Sequence, residues 1–165
     1  DEFVAGFDGQ TVDPVAVFSG SWNFDDEYPP AVPFTGLADP VPGPEANPQD
    51  IDFNRPGTLV LVPVDRPANV SKVLGWLGPT NYGYNGEPVS AALRSWEDRF
   101  GAIPTEMTFD TITVYVPRPP STDDQRRKLA AEHYGFCPDN IDQGIPYEQY
   151  LEALDVWSYW AFWWD

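Results

Sequence analysis

The sequence is poor in the residues that form disulfides or bind polyanions. Its 165 residues include one cysteine, one histidine and nine lysines and arginines, against 26 aspartates and glutamates, so the net charge is −17. A single cysteine cannot form an internal disulfide and favours a reducing compartment, so we expect a cytoplasmic protein. The charge disfavours binding to nucleic acids and anionic membranes. It favours a basic protein partner, because complementary charge speeds association.

Long apolar runs are also absent from the sequence. No run approaches the roughly 20 residues that a membrane-spanning helix needs, so we predict no such helix. The first residues lack the basic start and apolar centre of a signal peptide. Aromatic residues, in contrast, make up 15% of the chain. That content predicts a folded domain with a packed core.

The last nine residues, 157–165, are the most aromatic stretch and hold four of the seven tryptophans. A chain end is normally frayed and polar unless something holds it, so this segment is predicted to be packed. Its composition favours a strand over a helix. In a strand, Trp160 and Trp164 share one face, and Trp157 and Trp163 share the other. Both faces are then apolar, and both need cover.

Residues 1–57 are predicted to form an acidic, proline-rich N-terminal arm. The first 54 residues carry eleven acidic residues and no lysine or arginine. Proline blocks helices and removes ladder donors, so we expect extended backbone with one short strand at 15–18. A tryptophan strand at a sheet edge is an aggregation hazard. The arm is therefore expected to pack on that strand and cover it.

Residues 58–165 are predicted to form one core domain with a regular order of periodic segments. The predicted elements are a strand at 58–64, a short helix through 77, a helix at 88–100, a hairpin of strands at 103–109 and 111–116, helices at 121–134 and from 146, and the terminal strand. The order is βαββαβ. It predicts an α+β, ferredoxin-like sandwich with a four-stranded sheet and helices on one face.

Three stretches of this domain resemble the bacterial family DUF4253, a domain of unknown function. They are RSWEDRFGA at 94–102, the prolines at 119 and 120 with AEHYGFCPDN at 131–140, and the terminal Trp-Trp-Asp. The resemblance covers about residues 58–165 and leaves out the arm. It implies a single bacterial domain and brings no activity with it.

The candidate catalytic residues surround the only histidine and the only cysteine. His133 and Cys137 are four residues apart, with Glu132 and Asp139 beside them. A neighbouring histidine can activate a cysteine thiolate, and the same spacing can place two metal ligands on one side of a helix. We favour the structural alternative, in which these residues pack and His133 is a cation at a helix C-terminus. The charged residues around Trp96 are interpreted as a solvated, salt-bridged helix face.

We favour a non-catalytic acidic module that binds a protein partner, in the manner of an immunity or inhibitor protein. The partner is expected to be basic. The predicted contact residues are Asp25, Asp26 and Glu27 in the arm and Trp160 and Trp164 in the terminal strand.

Two other functions stay open. One is a small enzyme that uses Glu132, His133, Cys137 and Asp139. The other is an accessory subunit of a larger assembly, of phage or secretion type, with the arm extended across a neighbouring chain. No cofactor and no metal is expected, because the sequence lacks a phosphate-binding glycine loop, a nucleophile elbow and a metalloprotease motif.

Overall fold

A computed structural model describes residues 12–20, 30–52, 56–83 and 85–165 of the chain. Within these residues the elements are α1 Pro14–Phe18, α2 Val70–Leu74, α3 Gly86–Phe100, β1 Ile103–Met107, β2 Thr111–Tyr115, α4 Asp123–Phe136, α5 Tyr147–Ala153 and β3 Tyr159–Trp163. Short 3₁₀ turns lie at Pro48–Asp50, Pro67–Asn69 and Gly78–Tyr82, and a π turn lies at Asn140–Gly144. The fold is α+β, as predicted.

The three strands form one antiparallel sheet in the order β1-β2-β3. Tyr115 of β2 pairs with Ile103 of β1 on one side and with Tyr159 of β3 on the other. The predicted four-stranded, ferredoxin-like βαββαβ sandwich is therefore wrong. The terminal strand pairs with β2 and not with residues 58–64, which join no sheet.

Residues 58–64 form no strand and pair with no other segment of the described structure, and this is the main departure from the predicted fold. Leu59 and Leu61 are 85% and 90% exposed, although the sequence predicts a central, buried strand. A run of aliphatic and β-branched residues indicates strand propensity. It does not indicate that a neighbouring strand is available, and a strand without a neighbour has no ladder.

The two longer helices form close to where the sequence predicts them: α3 begins at Gly86, two residues before the predicted start at 88, and ends at Phe100 as predicted. Asn85 caps α3 by accepting a hydrogen bond from the Glu87 N–H, and Gly101 ends the helix with a left-handed φ of 68°. In α4 the capping box joins Thr122 and Gln125, one residue later than the sequence suggests. These caps fix the two helices that cover the sheet.

β3 confirms the predicted terminal strand, but only one of its faces is buried. Trp160, Phe162 and Trp164 point to the helices and are buried, whereas Ala161 and Trp163 are exposed. The inner face packs against Trp96, Phe100, His133 and Phe136, which come from α3 and α4. The core of the domain lies between this face and these two helices.

The first described part of the arm is the helix α1, so the strand predicted at 15–18 is wrong. Asp13 caps it by accepting a hydrogen bond from the Val15 N–H, and Pro14 occupies the first helical position. These start signals outweigh the strand propensity of Val15 and its neighbours. α1 packs on α3 and α4, on the side away from the sheet.

Later parts of the arm bind both layers of the domain. The Ala38 N–H donates to the Glu132 carboxylate in the helix layer, at 2.7 Å. The Asp52 N–H donates to the Tyr159 hydroxyl of β3, at 2.6 Å. The arm thus reaches the tryptophan strand at Tyr159, while α1 inserts its side chains among the helices.

Candidate functional site

Trp96 of α3 lies at the centre of the aromatic core. Its ring stacks on Phe18 from the arm at 5.2 Å between centroids, and on Phe162 from β3, also at 5.2 Å. Edge-to-face contacts with His133 and Trp160 complete the cluster. Aromatic pairs in these geometries add to the stabilisation that burial alone gives. One side chain therefore joins the arm, the helix layer and the sheet.

Glu132, the first candidate catalytic residue, is buried and fully hydrogen-bonded. Both of its oxygens accept from the Arg99 guanidinium, at 2.8 and 2.7 Å. The Trp96 indole N–H donates to one oxygen at 2.8 Å, and the Ala38 N–H donates to the other at 2.7 Å. Each Glu132 oxygen accepts two hydrogen bonds inside the protein, so neither oxygen is available to a substrate. The bidentate pair with Arg99 therefore has a structural role.

The charged face around Trp96 differs from its prediction because Arg99 turns inward. Its guanidinium binds Glu132, the Ala38 carbonyl and Ser95. Arg99 is therefore part of a buried network and not of a solvated face. Asp98, on the same helix, is exposed and pairs with Arg66.

His133 is enclosed by aromatic rings. Its Nδ1 shares a hydrogen bond with the Tyr150 hydroxyl at 2.8 Å, and its ring meets the Trp160 ring edge-to-face at 4.6 Å. Burial, and then the nearby Arg99 charge, lower the pKa of His133 well below 6.5. The imidazole is neutral at neutral pH, so the cation predicted at the helix C-terminus is not formed. Nothing exposes this ring to a substrate.

Cys137 is a buried thiol that donates its hydrogen to the backbone. Its Sγ lies 2.9 Å from the Trp163 carbonyl oxygen of β3. Burial raises the pKa of the Cys137 thiol far above its ordinary value. The reactive species of a cysteine is the thiolate, which this environment disfavours. Cys137 therefore serves to hold β3 against the end of α4.

Asp139 is buried beyond the end of α4, where it collects three donors. They are the Tyr82 hydroxyl at 2.6 Å, the Gln143 amide at 2.8 Å and the Asp165 N–H at 3.0 Å. Burial and the Asp139 carboxylate raise the pKa of Tyr82 above its ordinary value. These bonds tie the last residue of the chain to the domain.

The four candidate residues do not form a common site. Glu132 contacts Arg99, His133 contacts Tyr150, and the other two bind the terminal strand and its surroundings. Among the described residues, no group of three or more histidine, cysteine, aspartate or glutamate side chains could hold a metal ion. The four residues are close in sequence because all of them lie at or just beyond the C-terminal end of α4, but their side chains contact different neighbours.

The predicted partner-binding residues fall into two groups. Asp25, Asp26 and Glu27 lie outside the described residues. Trp160 and Trp164 are buried on the inner face of β3, and the Trp164 indole N–H donates to the Phe136 carbonyl. In this structure the two indoles are core residues.

Most lysines and arginines that the structure describes form ion pairs within the molecule. Of the lysines and arginines that the structure describes, all but Arg127 lie within 4.0 Å of a carboxylate: Arg66, Lys72, Arg94, Arg99, Arg118, Arg126 and Lys128. Sequence alone gives the net charge but not this pairing, because most partners are distant in the chain.

Exposed carboxylates remain in excess around the described surface. Eight of them form no ion pair within 4.0 Å with a described lysine or arginine: Asp13, Asp39, Asp50, Asp65, Asp142, Glu148, Glu152 and Asp165. Two of these, Glu148 and Glu152, lie one turn apart on α5 and line a groove of about 290 Å³ against α4. Two arginines line the same groove: Arg126, which binds Asp123 and Asp155, and Arg127, which forms no ion pair within 4.0 Å with a described carboxylate.

The comparisons with known proteins concern the domain and leave out the arm. The model of the family "Domain of unknown function (DUF4253)" matches residues 58–165. The chain belongs to this family. No curated protein and no solved structure matches the chain. In the described part of this DUF4253 protein, no helix is long and apolar enough to cross a membrane.

Proposed function

We propose that this DUF4253 protein is a non-catalytic module that binds a basic protein through its acidic surface. The observation that carries the proposal is the distribution of charge. Seven of the eight described cations are paired internally, which leaves eight exposed carboxylates of the described surface without an ion pair. A surface with one sign of charge steers an oppositely charged protein and raises its association rate.

The chemistry of the candidate residues supports binding over catalysis. An acid–base or nucleophilic group must reach a substrate in a plausible pose. The carboxylate oxygens of Glu132 and Asp139 accept hydrogen bonds from groups within the protein. His133 is enclosed by aromatic rings, and the Cys137 thiol is protonated. Each of these groups stabilises the fold at its own position.

The test identifies a partner and measures how its affinity depends on charge. Proteins crosslinked to the full chain in cells are identified, and the dissociation constant of the purified complex is measured from 50 to 500 mM salt. A basic partner whose binding weakens steeply with salt is expected, because exposed charges are screened at high ionic strength. A partner without excess positive charge, or an affinity independent of salt, contradicts the proposal.

Charge-neutralising variants locate the contact. One variant carries Asp39→Asn, Asp50→Asn and Asp65→Asn, and a second carries Asp142→Asn, Glu148→Gln and Glu152→Gln. We expect at least one of them to weaken binding tenfold or more. The matched control removes three exposed charges that are already paired and lie outside the groove between α4 and α5, Glu45, Asp98 and Asp124, and is expected to change binding less. Equal effects of all three variants would show that only net charge matters.

A further inference from the structure

Residues 58–62 form an apolar segment that belongs to no helix or strand and lies open to solvent. Leu59, Val60 and Leu61 are 85%, 63% and 90% exposed. Within the described structure, no backbone N–H or carbonyl of 56–64 takes part in a backbone hydrogen bond. The segment therefore presents unpaired donors and acceptors together with aliphatic side chains.

Such a segment has the properties of a strand that lacks its neighbour. Leucine, valine and threonine suit a pleated surface, and the sequence of 58–64 by itself predicts a strand. An unpaired strand is a template for pairing with another chain, and several protein families bind extended peptides in this way. Soluble proteins rarely leave contiguous apolar residues exposed without a binding role.

The segment belongs to the conserved domain type and not to the arm. The DUF4253 match begins at residue 58, at the first residue of the segment. Residues 67–69 then turn the chain into α2, and the Arg66 side chain anchors that turn to Glu97 and Asp98 of α3. The exposed segment is thus held at its C-terminal end by the body of the domain.

The charge of the described surface indicates what kind of strand can pair with the segment. Asp65 follows the segment directly, and it is one of eight exposed carboxylates that form no ion pair within 4.0 Å with a described lysine or arginine. A second copy of this chain would bring another net charge of −17 to the contact. Like charges at this density oppose self-pairing, and a strand with lysine or arginine among its apolar residues is favoured.

We propose that residues 58–62 are a β-pairing site for a basic, strand-forming segment of another protein. The inference rests on the proposed function and names its docking mode. Main-chain hydrogen bonds to 58–62 supply affinity, the aliphatic side chains bury against the partner's alternate residues, and the acidic surface of the protein selects positive charge. The partner strand completes the ladder that this domain leaves open.

The test uses two synthetic peptides of equal charge with the full-length protein. The first is an eight-residue peptide that alternates lysine and valine. The second has proline in place of two central valines, which removes ladder donors and keeps the charge. We expect the first peptide to bind at least tenfold more tightly and to slow hydrogen exchange at the amides of 58–62.

Two variants of the protein separate backbone pairing from charge. Val60→Pro removes one N–H from the segment at an exposed site. We expect it to lower the affinity for the first peptide to the level at which the parent protein binds the second. Val60→Thr keeps the N–H and the β-branched shape, and it is expected to bind like the parent. Thermal unfolding of both variants checks that the fold is unchanged.

The possible results separate this inference from the proposed function. Equal, salt-sensitive binding of both peptides would overturn the β-pairing and leave the acidic-surface proposal standing. Failure of both peptides to bind at low salt would overturn both. In the absence of peptide, the protein could form dimers in a concentration-dependent way and slow hydrogen exchange at the amides of 58–62. That result would show that the segment pairs with a second copy of this chain, and it would overturn the proposal of a basic partner strand.

Discussion

Gly135 in α4 lies directly against the main chain of Phe18 in α1, and a Cβ at Gly135 would overlap the Phe18 carbonyl oxygen. The contact is backbone to backbone, so no side-chain rotation can relieve it. The arm can approach α4 closely only because this helix position is glycine. Phe18 is thereby brought onto the ring of Trp96.

Gly135→Ala is expected to destabilise the protein by about 2 kcal/mol or more, because α1 must move away from α4 and Phe18 must leave its stacking position. Urea unfolding followed by tryptophan fluorescence measures the loss. Gly57→Ala is the control, since nothing lies within 4 Å of a Cβ there. It should change stability by less than about 0.5 kcal/mol. Equal stability of the two variants would contradict the packing of α1.

Glu132→Gln is expected to reduce the free energy of unfolding by about 3–5 kcal/mol, because Arg99 is left buried without its counter-ion. Chemical denaturation at neutral pH provides the measurement. Asp124→Asn removes one partner of the exposed pair with Lys128 and should cost less than about 1 kcal/mol. A small effect at Glu132 would mean that the buried network is not stabilising.

The buried His133 is expected to lower the free energy of unfolding as the pH becomes acidic. Its folded-state pKa is depressed, so protons bind the unfolded chain first as the pH falls below about 6.5. Stability is therefore fully present above that value and declines below it by about 1.4 kcal/mol per pH unit. Unfolding free energies of the parent and of His133→Gln, measured from pH 7.5 to 5, give the difference in slope. Parallel curves would show that His133 titrates normally in the folded protein.

Cys137 is expected to resist thiol reagents while the protein is folded. Ellman's reagent at pH 8 should label it only in denaturant, because burial and the raised pKa suppress the thiolate. Absorbance of the released chromophore reports the rate. Rapid labelling of the native protein would place the thiol at the surface. Cys137→Ser keeps a donor for the Trp163 carbonyl and should preserve partner binding.

The parts of the fold that follow from sequence are those with strong local signals. Gly101 marks the end of α3, and the alternation of Ile112 and Val114 marks the buried face of β2. Phe109 shows the limit of such patterns. It continues the alternation of β1, yet it lies beyond that strand, at the hairpin turn, with 92% of its surface exposed.

The candidate site could not be derived from sequence, because its decisive partners are far apart in the chain. Glu132 and Arg99 are separated by 33 positions, and Glu132 and Ala38 by 94. Sequence places the four candidate residues together on one helix end. Only the tertiary structure shows that each points to a separate structural partner.

The insertion of Phe18 and Ala38 has a consequence for how this domain can be exchanged between proteins. The family match starts at residue 58, but one face of Trp96 and one oxygen of Glu132 are completed from outside it. The family match and the packed core therefore cover different lengths of chain. Residues 58–165 moved alone into another protein would lack Phe18 and Ala38, so one ring face of Trp96 would lose its cover and one oxygen of Glu132 would lose a donor.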